Sequence, residues 1–455
     1  MHRYIGDKVF IKRVLLVALP MMLQQLISMS VNLVDNLMVG SLGDAAIGSV
    51  AAVNKYYVIA AFAINGLAAA TAVFIAQFHG ANEPEKMRQS FRVLLIISFV
   101  IMVLFMVVSF FFPRQILLYF TKDEAVIEDG IIYLRIVLWS FVPSAIILST
   151  YFSMRAIGEM KLPLRTSVIS VLTNAVLNYC LILGNFGFPR LELKGAAIAT
   201  LVARLFEMTL ALYVLKKYDF PFKTRLLEIF QFSKNIWKDI LSKAAPLMLN
   251  EVLWSFGMAT LFKFYATRGS DVMSGYSISG TVSDLFFTLF SGMAAATTVL
   301  VSTPLGANKL EEARKNAYQL IGFSMVLSLL FGFLMYLSTF LVPILYRNIS
   351  PASQHVAIQY LYVQSVMFWI YMGTTQCYFI LRAGGDMRHT LIMDSGFMWT
   401  IFIPFVAILT YFTNMNYLML YIMGQLTDVV KLLFAYYIIR KEKWVVNLTM
   451  LLFTE

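Results

Sequence analysis

The sequence predicts an all-α integral membrane protein with twelve transmembrane helices in two six-helix bundles, which a parallel internal repeat relates. Three observations support this prediction: an apolar composition, long uncharged segments and a sequence that repeats after half its length. Of the 455 residues, 60% are hydrophobic and 13% are charged, whereas soluble domains carry about 25% charged residues. A soluble protein of this composition would have too little polar surface to stay in solution.

Twelve apolar segments are long enough to be transmembrane helices. An uncharged run such as residues 93–112 has about the 20 residues that a helix needs to cross a ~30 Å hydrocarbon core. A membrane β-barrel would instead show alternating segments of about ten residues. The basic N-terminus continues into the first span without a signal-peptide cleavage site, so we expect this span to be retained. The predicted spans are residues 14–39, 46–78, 93–112, 130–154, 166–184, 195–215, 244–266, 274–303, 317–341, 358–381, 391–412 and 417–439.

Lysine and arginine are distributed unequally between the two sides of the predicted spans. If the N-terminus is inside, the inside segments contain 25 basic residues and the outside loops contain six. Because the cytoplasmic loops of membrane proteins are rich in basic residues, we expect both termini in the cytoplasm. The net charge of +11 follows from this bias and from contact with anionic lipid. The expected partner is therefore the lipid bilayer, and no nucleic acid is expected.

An internal duplication divides the chain into two halves. The stretch GANEPEKMR, from Gly80, recurs as GANKLEEAR, from Gly306, at an offset of 226 residues. ALPMMLQQ recurs as AAPLMLNE at the same offset, and YFSMRAIGEM recurs as YFILRAGGDM at 227. Each half has six spans, so both halves should cross the membrane in the same orientation. The predicted domains are an N-terminal bundle (1–215), a basic cytoplasmic linker (216–243) and a C-terminal bundle (244–455).

The repeated GAN stretch has a predicted local role. It follows the second span of each half, where its glycine would end one helix and its glutamate and arginine would begin the next. We expect a cytoplasmic turn at this position in both halves.

The architecture favours transport over enzymatic activity. Two similar bundles can rock about a shared site and expose it to either side of the membrane in turn. The competing classes are a channel, a lipid flippase and an intramembrane enzyme. The sequence contains no glycine-rich filter within a span, no G-x-x-x-x-G-K-[ST] motif and no motif for hydrolysis. These absences disfavour a channel, transport powered by ATP binding to this chain alone, and a hydrolase.

Several longer phrases resemble a known family over essentially the whole chain. They are LALPMMLQQLISMSVNLVDNLMVGSLG, TNAVLNYCLILGNFGFPRLELKGAAIAT, VLVSTPLGANKLEEARKNA and YFILRAGGDMRHT, and they are similar to the MATE (multidrug and toxic compound extrusion) family. The resemblance implies an exporter of drug-like or toxic organic compounds, often cationic, in a prokaryotic cytoplasmic membrane. It implies coupling to inward H⁺ or Na⁺ flow, no other cofactor, and a monomer.

Acidic residues inside the spans are functional candidates, because a charge in the membrane is costly. Asp35 has no basic residue three or four positions away, so no local ion pair accounts for it. The alternative is an aspartate solvated at the outer mouth of the first span. The resemblance assigns this position the coupling carboxylate of the first bundle, whereas the aligned residue of the second half is Leu261. The acidic residues within the spans are Asp35, Glu207, Glu251, Asp284, Asp394 and Asp428.

Three polar residues are candidate partners of Asp35. Asn174 and Asn178 are four residues apart in the fifth span and therefore share one face of a helix, and Thr200 is in the sixth span. With Asp35 they could supply oxygens to a Na⁺ ion, or form a hydrogen-bond network that responds to protonation. The alternative for the two asparagines is packing between helices. Some members of the family have aspartate at position 178, which makes a strong Na⁺ site less favoured here.

The second half contains a separate candidate site for substrate or a second coupling ion. The resemblance places a carboxylate at Glu251, often paired with an acid in the tenth span, but this chain has no acid between positions 360 and 381. Asp284 or Asp394 could replace that acid. The candidates of this second site are Glu251, Asp284, Asp394, Tyr371 and Gln376.

Ion pairs are the competing interpretation for several of the acids. Spacing of three residues predicts structural pairs between Glu207 and Arg204 and between Asp428 and Lys431. For Asp284 we favour a buried pair with Lys55 or Lys263.

Two other functions stay open at this point. A flippase for a lipid-linked saccharide or a peptidoglycan precursor shares the two-bundle architecture, but its cavity should be strongly basic. A receptor or scaffold that transports nothing would show no dependence on an ion gradient.

Overall fold

The computed structural model describes residues 4–347 and 349–451, and within them the chain folds into twelve long helices. A short helix, Pro113–Phe120, follows α3, and another, Leu448–Leu451, follows α12. The long helices are α1 Lys8–Gly40, α2 Asp44–Gly80, α3 Pro84–Phe111, α4 Glu124–Ala156, α5 Lys161–Leu183, α6 Glu192–Lys217, α7 Lys234–Ala266, α8 Ser270–Gly306, α9 Leu310–Leu345, α10 Pro351–Ala383, α11 Met387–Phe412 and α12 Tyr417–Arg440.

Each predicted span coincides with one of these helices, with ends that differ by up to ten residues. Ten of the twelve are long and apolar enough to cross a membrane. The other two, α7 and α10, are 33 residues long and carry more polar residues, including four glutamines in α10. The prediction of an all-α, twelve-helix membrane protein is confirmed. The helix Pro113–Phe120 was not predicted, because its eight residues are too few for a span.

The repeated GAN stretch forms the same turn in both halves, as predicted. It joins α2 to α3 and α8 to α9, and its asparagine has a left-handed backbone in each copy, with φ of 56° at Asn82 and 58° at Asn308. Asparagine is one of the few residues besides glycine that adopts this conformation readily. The following residue closes the turn in the same way in both copies. Glu83 N donates to Phe78 O at 2.9 Å, and Lys309 N donates to Pro304 O at 2.8 Å.

The chain forms two compact units. One unit, here called the N-unit, consists of residues 23–248, and the other, the C-unit, consists of the described residues before 23 and after 248. The divisions fall inside α1 and α7, whereas the sequence placed the domain boundaries in the 216–243 segment. Each division lies two residues after a proline within the helix, Pro20 in α1 and Pro246 in α7. A proline inside a helix removes a backbone hydrogen bond, so both helices are weakened where the units divide.

Close packing of α5 and α6 positions the polar residues of the N-unit. A Cβ atom at Gly195 of α6 would overlap the backbone carbonyl oxygen of Leu181 in α5. Gly195 is followed by Ala196 and Ala197, which are 4% and 0% exposed. Small residues allow two membrane helices to approach closely, so this part of α6 lies directly against α5.

The core of the C-unit contains a cluster of stacked tyrosines. The rings of Tyr360 and Tyr421 stack with their centroids 4.0 Å apart, and Gln364 Nε2 donates to the Tyr421 hydroxyl at 2.7 Å. Tyr265 packs edge-on against Tyr421 at 5.4 Å. These contacts join α7, α10 and α12.

Candidate functional site

A cavity of about 380 Å³ lies in the N-unit. Residues of α1, α2, α4, α5 and α6 line it. Asp35 is the single acidic residue and Arg204 the single basic residue among the described residues that line this cavity. The polar lining consists of Asn32, Asp35, Asn36, Asn54, Tyr57, Tyr133, Ser170, Asn174, Asn178, Thr200 and Arg204.

Asp35 is joined to both predicted asparagines in this cavity. Asn178 Nδ2 donates to Asp35 Oδ1 at 2.8 Å and also approaches Asn174 Oδ1 at 3.3 Å. Asn178 is 3% exposed, and its Oδ1 has no hydrogen-bond partner among residues 4–347 and 349–451. A buried polar atom without a partner is costly. The amide is therefore positioned to accept one further hydrogen bond.

Thr200 lines the same cavity without contacting Asp35. Its hydroxyl donates to the Ala196 carbonyl of its own helix at 3.0 Å. The four residues that the sequence grouped together thus share one cavity, but only Asp35, Asn174 and Asn178 are linked by hydrogen bonds.

The residues present can be compared with the ligands that a transported Na⁺ ion would need. In the described part of the chain, no three His, Cys, Asp or Glu residues converge as a metal site. A Na⁺ ion in this cavity would have one carboxylate, from Asp35, together with amide and hydroxyl oxygens. Hard cations prefer several carboxylate or carbonyl oxygens, and a single carboxylate lines this cavity among the described residues.

The predicted pair of Arg204 and Glu207 is confirmed. Arg204 Nη1 lies 2.8 Å from Glu207 Oε2, and Glu207 is 3% exposed whereas the Arg204 side chain is 42% exposed towards the cavity side. Glu207 also accepts hydrogen bonds from Tyr151 at 3.1 Å and from Ser170 at 3.3 Å. The buried carboxylate is therefore fully surrounded by donors, which supports a structural role.

The C-unit shows a different arrangement from the one that helix spacing predicted. Lys431 forms its ion pair with Asp394 of α11, at 2.7 Å between Nζ and Oδ1. The sequence analysis predicted Asp428 as the ion-pair partner of Lys431, and this was wrong. Asp428 still interacts electrostatically with Lys431. Helix spacing could not reveal this, because Asp394 is on a neighbouring helix and 37 residues away.

Glu251 lies in the C-unit near Arg382, which the sequence analysis did not identify as a candidate. It interacts electrostatically with Arg382 and Asp394. The Arg382 guanidinium lies 5.7 Å from the ring centroid of Tyr378 and 5.2 Å from that of Phe379. Arg382 and Tyr378 belong to the repeated phrase YFILRAGGDM, so the repeat was the signal that could have identified them.

Two further candidates of the second site, Tyr371 and Gln376, form hydrogen bonds with other residues of the C-unit. The Tyr371 hydroxyl donates to Gln425 Oε1 at 2.6 Å, and Gln376 Nε2 donates to Thr297 Oγ1 at 2.8 Å. Both bonds link helices within the C-unit. Asp284 forms no ion pair with Lys263 in the described part of the C-unit, and Lys263 is exposed, so that predicted pair is wrong. Lys55 belongs to the N-unit.

A family model described as MatE matches the chain in two parts, residues 20–180 and 246–408. Together the two parts cover well over half of the chain. The protein belongs to the MATE family of transporters. The two matches begin at Pro20 and Pro246, which are 226 residues apart, the same offset as the internal repeat.

Curated MATE relatives align along most of their length. The chain is 27% identical over 405 residues to a probable multidrug resistance protein NorM of Rhodopseudomonas palustris, covering 88% of this chain and 85% of that protein. It is 22% identical over 397 residues to the probable multidrug resistance protein YoeA of Bacillus subtilis, covering 86% and 85%.

Solved MATE structures share the fold. A MATE protein crystallised in a bent conformation superposes with a TM-score of 0.85 at 20% identity, covering 97% of both chains. A MATE transporter from Vibrio cholerae gives 0.85 at 17% identity, covering 96% of this chain and 98% of that chain. The protein is therefore a multi-pass membrane transporter with the MATE fold.

Proposed function

We propose that this MATE protein is a secondary active antiporter that exports drug-like or toxic organic compounds, often cationic, in exchange for H⁺. The observation that carries the proposal is the position of Asp35, the single acid of the N-unit cavity within the described residues, hydrogen-bonded to a buried amide. The curated relatives named above are described as probable multidrug resistance proteins, which supports the substrate class.

The geometry around Asp35 suits a carboxyl group that alternates between charged and neutral forms. In the charged form, Oδ1 accepts the hydrogen bond from Asn178 Nδ2. In the neutral form, the carboxyl group can also donate its proton to Asn178 Oδ1, which otherwise has no partner among the described residues. A carboxylic acid and an amide then form two hydrogen bonds in place of one. Protonation would therefore draw α1 and α5 together, which links ion binding to helix movement.

The transport cycle follows from the two similar bundles. Asp35 takes up a proton from outside, α1 and its neighbours rearrange, and the organic compound is released outward. Release of the proton to the cytoplasm returns the protein to the inward-open state. The basic residue distribution supports this orientation, with both termini in the cytoplasm of a prokaryotic cell.

One proton per cycle supplies enough energy for export. A single charge that crosses a potential of 100 mV releases about 2.3 kcal/mol, so about 150 mV supplies roughly 3.5 kcal/mol. Since about 1.4 kcal/mol corresponds to a tenfold ratio, one proton sustains a gradient of roughly 300-fold for a neutral substrate. For a neutral substrate, a second coupling site is therefore not required on energetic grounds. Exchange of one proton for one monovalent organic cation moves no net charge, so the pH difference alone would drive it.

The experiment that tests the proposal uses purified protein in liposomes and a fluorescent organic cation. An imposed pH gradient without Na⁺ should drive transport, and Asp35→Asn should insert and fold normally but lose this activity. Asp219→Asn is the matched control, since it removes an exposed aspartate of the segment between α6 and α7 and leaves the N-unit cavity intact. Transport by Asp35→Asn at the normal rate would contradict the assignment of Asp35.

Two other outcomes would change the proposal. Transport that requires a Na⁺ gradient would replace the proton by Na⁺, with Asp35, Asn174, Asn178 and Thr200 as the first ligands to test. Transport under neither gradient would favour the flippase, which a labelled lipid-linked substrate would then test. The structure disfavours the flippase, because Arg204 is the single basic residue of the described cavity lining and is already paired with Glu207.

A further inference from the structure

Lys431 is a buried ammonium group in the C-unit that the proposed proton cycle does not use. Its Nζ lies 2.7 Å from Asp394 Oδ1, and the two side chains are 13% and 19% exposed. The two residues lie on different helices, α12 and α11. Charges within membrane spans are costly and usually serve a purpose other than packing. The pair is also separate from the Asp35 cavity, which lies in the N-unit.

The carboxylate of Asp394 is held rigidly at both oxygens. Oδ1 contacts the ammonium group, and Oδ2 accepts a hydrogen bond from Asn250 Nδ2 at 3.0 Å. Asn250 is in turn fixed by Ser395, whose N donates to Asn250 Oδ1 at 3.2 Å and whose Oγ donates to the Asn250 carbonyl at 2.9 Å. This arrangement presents one carboxylate oxygen, already oriented, to a single positive charge.

The backbone around Asp394 is also unusual. Asp394 lies in a π-helical turn, Ile392–Gly396, and a second π-helical turn, Met398–Phe402, follows in α11. Such turns occur mostly as local insertions at functional sites. In transporters, irregular helix turns supply backbone carbonyl groups that coordinate Na⁺. A further carboxylate, Asp428, lies one turn before Lys431 and interacts electrostatically with Asp394 and Lys431.

We propose that Lys431 is a tethered cation, whose ammonium group takes the place of a bound monovalent metal ion at the Asp394 carboxylate. Both the ammonium group and Na⁺ carry one positive charge and are stabilised by oxygen atoms at short range. The C-unit of the wild-type protein therefore needs no dissolved cation at this position. Removal of the ammonium group leaves an oriented carboxylate, a nearby second carboxylate and a π-helical turn, which together form a Na⁺ site.

The test measures binding and not transport, so its result does not depend on the proposed export activity. Purified Lys431→Met is unfolded thermally in increasing NaCl, with choline chloride added to keep the ionic strength constant. Its melting temperature should rise with the logarithm of the Na⁺ concentration, as for any ligand that binds only the folded state. The rise should exceed that of the wild-type protein, and binding of ²²Na⁺ should increase in parallel by about one ion per chain.

Two further variants make the test specific to this site. Lys263→Met removes an exposed lysine of α7 in the same unit and should leave the Na⁺ response at the wild-type level. Lys431→Met/Asp394→Asn removes both charges and should also return the response to the wild-type level.

Three results would overturn the proposal. The first is a folded Lys431→Met protein that responds to Na⁺ no more than the wild type does. The second is a Lys431→Met protein that cannot be recovered folded in either salt, since Na⁺ would then fail to replace the ammonium group. The third is a Na⁺ response that persists in the double variant, which would place the bound ion elsewhere. Loss of organic-cation transport alone would concern the proposed function and not this site.

Discussion

The pair of Arg204 and Glu207 predicts an asymmetric response to removal of its two charges. Removing one partner of a fully buried ion pair costs about 3–5 kcal/mol, because the remaining charge is left uncompensated. In this pair the burial is unequal: Glu207 is 3% exposed and the Arg204 side chain is 42% exposed. Arg204→Met strands a buried carboxylate, whereas Glu207→Gln leaves a guanidinium group that water in the cavity can reach.

The contacts of Glu207 set the size of the effect. In Arg204→Met, the hydroxyl groups of Tyr151 and Ser170 still donate to the carboxylate, so we expect a loss of about 1–3 kcal/mol in the free energy of unfolding. In Glu207→Gln, the amide oxygen still accepts from Tyr151, and the exposed arginine contributes little, so the loss should be below about 1 kcal/mol. The double variant Arg204→Met/Glu207→Gln should recover most of the loss of the first.

Equilibrium unfolding in mixed micelles of increasing SDS content, followed by tryptophan fluorescence, measures these differences. Because the two residues are in contact, their effects should be non-additive in a double-mutant cycle. Equal destabilisation by Glu207→Gln and Arg204→Met, or two losses that simply add, would contradict this expectation. Either result would mean that the unequal burial does not determine where the cost falls.

Two further predictions concern the backbone. Gly195→Ala should destabilise the N-unit by about 1–3 kcal/mol, because the new Cβ would overlap the Leu181 carbonyl. The control is Gly280→Ala, where a Cβ meets nothing within 4 Å, and this variant should be neutral or stabilising. Equal melting temperatures of the two variants would contradict the close approach of α5 and α6. Asn82→Ala should lower the free energy of unfolding by about 1–2 kcal/mol, because alanine tolerates the left-handed backbone poorly. Asn82→Gly should melt within experimental error of the wild type. An alanine variant as stable as the wild type would show that this turn can relax.

The features predicted correctly from the sequence are those that the membrane and the local backbone impose. In a bilayer, backbone polar groups must be satisfied within a helix, so apolar segment length alone located all twelve helices. The GAN turn was also predictable, since it depends on a few neighbouring residues. The common face of Asn174 and Asn178 followed from their spacing of four residues.

Contacts between helices were not accessible in the same way. Asn178 and Asp35 are 143 residues apart, so no spacing rule within one helix predicts their hydrogen bond. For Lys431, the spacing rule pointed to Asp428 because it considers only one helix, whereas packing of α11 against α12 brings Asp394 closer. The π-helical turns of α11 leave no pattern that hydropathy can detect, and Asp394 lies in the first of them.

The two halves share the GAN turn but differ in their charged residues. The surroundings of Asp35 and of its counterpart, Leu261, explain why an acid is tolerated at the first position and not at the second. The counterpart of Asp35 in the second half is Leu261, which is 2% exposed and packs in the core that contains Tyr265 and Val406. Asp35 instead borders a 380 Å³ cavity. Leu261→Asp would bury a carboxylate without a partner, which costs several kcal/mol, so we expect little folded protein by size-exclusion chromatography. Leu261→Met preserves the volume and should fold normally. Recovery of folded Leu261→Asp at the wild-type level would contradict this explanation. It would mean that an acid is tolerated at this place in the repeat without a neighbouring cavity.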